Sequence, residues 1–137
     1  MGNTKSIGIA YSDQDINGAD TLLANSQFGY TAAAQGTVTQ ATSKSTGVTL
    51  NKSAGQITMN AAALAGATAV SFTLTNSLIS ANDVLILNVG SGGTAVAYTV
   101  YTSSIAAGSA VITLRNMTAA TSLSEAVVIN FALIHCA

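Results

Sequence analysis

Asp13-Gln14-Asp15-Ile16-Asn17-Gly18 puts side-chain oxygens at the first, third and fifth positions of a loop and glycine at the sixth, the opening of an EF-hand calcium loop. That loop also needs a bidentate carboxylate at its twelfth position, which here is Ala24. No helical pattern precedes it. The segment therefore reads as an Asx-rich turn whose side chains satisfy their own backbone, with weak calcium binding at Asp13, Asp15 and Asn17 the one metal chemistry left open.

Hydrolytic chemistry would rest on His135, the single histidine, beside the single cysteine, Cys136. Nucleophilic catalysis needs a nucleophile, a base and an orienting group in hydrogen-bond reach. Neighbours on a strand point to opposite faces, so these two do not pair, and a chain-end position or a subunit contact accounts for them. A paired-carboxylate site would have to join Asp83 to Glu125 from separate segments. We assign no catalytic, cofactor-binding or metal-ligating residue and expect a non-enzyme without a cofactor. Arg115 reads as a solvated end-of-strand charge ahead of an interface anchor. Tyr98 and Tyr101 fall on opposite faces of one expected strand, so one of them lies outside the core.

Shorter patterns add little. Met1-Gly2-Asn3-Thr4-Lys5-Ser6 fits an N-myristoylation site but has no polybasic partner signal. Asn51-Lys52-Ser53 and Asn116-Met117-Thr118 are glycosylation sequons, yet the amino terminus lacks the apolar centre of a secretory signal, so we expect synthesis and folding in the cytosol. One cysteine excludes an intrachain disulfide framework.

The elements that would carry these residues are written in an unusually neutral alphabet. Of 137 residues, 7% are charged and 49% hydrophobic, and after Ser53 the only charged side chains are Asp83, Arg115 and Glu125. Ordinary domains are about a quarter charged, so charge repulsion here does little to keep copies apart. A net charge of −1 offers no phosphate-tracking face, which argues against nucleic acid as a partner. The longest apolar runs, residues 61–74 and 126–137, are shorter than the roughly 20 residues of a spanning helix and carry polar interruptions, so no membrane partner is expected.

Residues 1–46 read as an irregular amino-terminal arm, with helix-compatible spacing at Leu22, Leu23 and Phe28. Residues 47–137 read as one β-sandwich domain. Seven strands are expected there: 47–51, 56–60, 69–75, 83–89, 95–102, 110–115 and 126–135. Val70, Phe72 and Leu74 alternate with Ser71, Thr73 and Thr75, giving one dry and one hydroxyl face. Val84-Leu85-Ile86-Leu87 and Val127-Val128-Ile129 are apolar on both faces, which in so small a chain points to a partner subunit. Gly90-Ser91-Gly92-Gly93 reads as a hairpin connection, and 106–109 and 76–82 as further connections. The fold class expected is all-β, an antiparallel, jelly-roll-like β-sandwich.

Thr39 to Lys52, then Gly55-Gln56-Ile57-Thr58-Met59 and Val70 to Asn76, continuing through Gly92-Gly93-Thr94, Ala97 to Val100, Ile112 to Asn116 and Glu125 to Phe131, resemble small structural proteins of tailed bacteriophages, among them capsid decoration or cement proteins. The resemblance covers roughly the last hundred residues, in strand and turn sequences without site chemistry. It implies a β-sandwich on the outer surface of a virion capsid, often a homotrimer, with the major capsid protein as partner and synthesis in the host cytoplasm. The alternative expectation is a receptor- or glycan-binding module of a tail fibre or spike.

Overall fold

Period-two alternation of branched apolar residues with serine and threonine builds strands with one face toward a core, and among the described residues eight strands stack as two sheets. The computed structural model describes residues 19–136. The calcium-loop pattern at Asp13, Asp15 and Asn17 and the acylation pattern lie outside the described residues.

The strands are β1 (Gln35–Thr39), β2 (Val48–Thr49), β3 (Ala54–Thr58), β4 (Ala69–Thr75), β5 (Val84–Ser91), β6 (Tyr98–Ala106), β7 (Ser109–Asn116) and β8 (Val128–Ile134). One sheet has the order β1-β3-β8-β5 and the other β2-β4-β7-β6. The chain crosses from layer to layer after almost every strand, and β6 and β7 are the one consecutive pair joined within a sheet. Because β2 lies in the opposite layer, β1 and β3 run the same way and pair in parallel, as do β2 and β4. The all-β sandwich is as the sequence indicates, and its sheets are mixed, each with one parallel pair beside antiparallel ones.

The core lies between the sheets. Ile57, Ile129, Phe131, Leu133 and Leu85 face it from the first, and Phe72, Leu74, Ile112 and Leu114 from the second. Burial of side chains this size is worth about 1.5–3 kcal/mol each. Leu50, on the β2–β3 connection, fills the space where β1 and β3 present Gly36 and Gly55. A Cβ on Gly55 would stand 2.4 Å from the Gly36 carbonyl oxygen.

Other expectations change as well. The stretch read as arm contributes β1, so the sandwich begins before residue 47. The described arm forms no α-helix at Leu22, Leu23 and Phe28; its one helical turn is the 3₁₀ segment Ala32–Ala34. Gly90 to Gly93 is no hairpin, because β5 pairs with β8 and β6 with β7, and the glycines instead carry the chain between sheets. Gly92 takes φ +75 there, and a Cβ on it would meet the Ala126 carbonyl oxygen at 2.3 Å.

Candidate interaction surface

The two strands apolar on both faces are neighbours, and their pairing concentrates the unburied residues at one end of the first sheet. Val84 stands opposite Ile134, and Ile86 opposite Ala132. Val84, Ile86 and Ile134 are 50%, 50% and 49% exposed on the outer face. One row further, Thr37, Gln56, Asn130 and Asn88 form a polar band, with Gln56 Nε2 donating to Asn130 Oδ1 at 3.1 Å. The apolar end is thus bounded, not diffuse.

The arm meets the sheet at this end. Tyr30 donates its hydroxyl to the Leu133 carbonyl oxygen, and Gln35 Nε2 donates back to the Tyr30 carbonyl at 3.0 Å. Phe28, Gly29 and Tyr30 with Ile86, Ala132, Leu133 and Ile134 enclose a cleft of about 300 Å³ without a charged group. Farther out, Leu22, Leu23 and Phe28 are 59%, 86% and 86% exposed.

Asp83 pins the end of β8 beneath this surface. Its buried carboxylate accepts Ser80 N–H at 2.7 Å and Cys136 N–H at 2.9 Å, and His135 Nδ1 lies 3.0 Å from each carboxylate oxygen. Burial pushes the Asp83 carboxyl up, but the Ser80 and Cys136 N–H groups and the imidazole outweigh it, so it titrates below the ordinary aspartate range. Asp83 and His135 resemble two members of a hydrolytic triad. Among the described residues no hydroxyl or thiol hydrogen-bonds the imidazole, and Cys136 Sγ turns to the Ile134 carbonyl. His135 and Cys136 are therefore drawn to one carboxylate, the first by its side chain and the second by its backbone.

Glu125 occupies a separate cluster, so the two carboxylates share no partner. Its oxygens accept the Thr94 N–H at 3.0 Å and the Thr94 hydroxyl at 2.7 Å, which hold it below the ordinary glutamate range. Its carbonyl accepts Lys44 Nζ at 2.5 Å, and Nζ also donates to the Asn60 carbonyl at 2.6 Å. Lys44 is buried; desolvation lowers its pKa, partly opposed by the charge of Glu125. Gln40 completes the cluster, donating to the Lys44 and Thr46 carbonyls and accepting Asn60 N–H. These polar groups lock connections between sheets.

The second sheet presents the expected hydroxyl face. Ser71 and Thr113 hydroxyls lie 2.7 Å apart across β4 and β7, and a bulge in β6 brings the Ser103 hydroxyl onto Thr113. Tyr101 is exposed on this face while Tyr98 turns inward, where burial and then the Glu125 carboxylate push its phenol up to about 12. The Tyr98 oxygen is buried without a hydrogen-bond partner of ordinary geometry. Arg115 is exposed at one end of the face and makes no ion pair among the described residues.

Asn116 of the second sequon is fully buried and donates to the Leu64 and Thr121 carbonyls while accepting from the Thr118 N–H and hydroxyl. Among the described residues no cluster of three metal-ligating side chains occurs, and no helix is long and apolar enough to cross a membrane. The Lys44 and Thr94 contacts with Glu125, and those of Asp83 with His135 and Cys136, carry no local sequence signal, because each joins residues far apart in the chain. No protein-family model, curated protein or solved structure matches the chain.

Proposed function

We propose that this chain is a non-enzymatic virion structural protein, a capsid decoration or cement subunit that self-associates as a homotrimer and binds the major capsid protein on the outer surface of a phage head. The observation that carries this reading is the continuous apolar surface made by the arm and the outer end of β5 and β8 on a nearly uncharged domain. Exposed apolar patches of this kind mark contact surfaces. The likeness of the strand and turn segments to phage structural proteins supplies the setting. Purified protein added to matching capsids that lack it is expected to bind and to raise the temperature at which they disassemble. Capsids that neither retain the protein nor gain stability would refute the proposal.

The hydroxyl face favours the second reading, a glycan-binding module of a tail fibre or spike. Tyr101 offers a ring for stacking beside the Ser71, Thr113 and Ser103 hydroxyls. Retention on immobilised host glycans, lost in Tyr101→Ala, supports that reading; no retention removes it.

A further inference from the structure

We infer that the arm segment around Leu22 and Leu23 of one copy docks on the apolar end of a second copy, entering the cleft between Phe28–Tyr30 and the outer face of β5 and β8. This rests on the assembly reading above and specifies one contact that builds the assembly. Every residue from Ala19 to Thr31 is exposed, and the described hydrogen bonds between arm and sandwich begin at Tyr30. Leu22 and Leu23 therefore stand in water, six and five residues before Phe28, and neither of them lines the cleft. The cleft, at about 300 Å³, has room for about two groups of benzene's size, since an apolar cavity near 150 Å³ holds one.

Charge and area both suit a second copy. Residues 19–31 carry a single charge, Asp20, and the cleft carries none, so nothing repels a like chain. Leu22, Leu23 and Phe28 with Val84, Ile86 and Ile134 leave on the order of 800 Å² of apolar side chain in water, which in reciprocal docking is about what each partner buries in a standard interface and in one-way docking is divided between two interfaces. Reciprocal docking closes a dimer, and one-way docking closes a ring of three or more.

The test uses full-length chains carrying Cys136→Ser, since Cys136 adjoins the patch. Chains with Leu23→Cys are mixed with chains with Ile86→Cys under mild oxidation, and products are read by non-reducing electrophoresis. The expected product is a disulfide-linked pair of the two variants, absent when Thr73→Cys, on the opposite sheet, replaces Ile86→Cys. Leu23→Ser, at a site too exposed to disturb folding, is expected to weaken self-association about tenfold or more by light scattering. A chain carrying both cysteines that closes its disulfide within itself overturns the inference. So does single-chain wild-type protein at tens of micromolar concentration, or an oligomer that Leu23→Ser leaves unchanged. Capsid binding is measured separately, so an intact capsid interaction without this arm contact refutes the inference alone.

Discussion

Replacing Lys44 by Met removes a buried ammonium while keeping most of the side chain's volume, and the expected consequence follows from its two bonds. Nζ donates to the Asn60 and Glu125 carbonyls at 2.6 and 2.5 Å. Hydrogen bonds to charged groups are worth about 1.5–3 kcal/mol each, and both carbonyls lose their ammonium donor in the variant. Relief of the ammonium's desolvation offsets part of this, leaving a net loss of about 2–4 kcal/mol near neutral pH. For a chain of this size that lowers Tm by roughly 10 °C, read by circular dichroism at fixed protein concentration. The pH profile gives a second readout. Burial holds the Lys44 pKa below 10.5 in the folded protein, so between that lowered value and 10.5 the unfolded chain binds more protons. Stability therefore rises with pH across that window and is lost as pH falls through the folded value. Tyr98 acts oppositely and higher, its folded phenol keeping its proton to about 12, so stability falls with pH from 10 upward and the Lys44 window is read below 10. Lys44→Met should flatten the rise. A variant as stable as the wild type, or an identical slope in both, would refute this account of the cluster.

Tyr98→Phe deletes a buried hydroxyl with no partner of ordinary geometry and is expected to stabilise by about 1 kcal/mol in urea unfolding; a loss of that size would show a working bond to Glu125. Asn116→Ala breaks four bonds at a fully buried site and should cost about 3 kcal/mol or more by the same measurement, against less than about 0.5 kcal/mol for Thr73→Ala on the exposed face. Val96 is fully exposed at φ +59, strained for a β-branched residue, and Val96→Asn should raise stability by about 0.5–1 kcal/mol; an unchanged midpoint would mean that the turn is not strained. Because the folded Asp83 carboxyl is held below its ordinary value, its contribution is present above that value and lost as pH falls through the folded one, so acid unfolding should come earlier in His135→Ala.

The sequence makes the fold readable wherever one strand shows a plain alternation. β4 matches the expected residues 69–75 because Val70, Phe72 and Leu74 alternate without interruption. β1 escapes notice because it turns only Val38 inward as a large apolar residue and has Gly36 where Leu50 packs from elsewhere. The start of β6 moves from Ala95 to Tyr98 because Val96, apolar and branched by type, adopts a left-handed turn. Turn chemistry at Gly90 to Gly93 indicates a bend, but glycine backbone freedom does not specify which sheet the next strand joins. The exposed apolar surface is partly legible in the same way. Two-faced apolar strands at β5 and β8 announce unburied side chains, whereas their adjacency and the arm's seat at Tyr30 arise from pairings between segments far apart in the chain, Val84 with Ile134 and Tyr30 with Leu133. A lysine buried on carbonyls runs against the usual placement of that residue type, so only its partners reveal it.

The proposed place of this chain on a phage head is tested most directly by cryo-electron microscopy of virions assembled with it. Density for the sandwich is expected to repeat over the outer surface of the head, with the end bearing Ile86 and Ile134 turned toward a neighbouring copy or the shell. Density confined to the tail, or sandwiches on the head with that end facing only solvent, would contradict it.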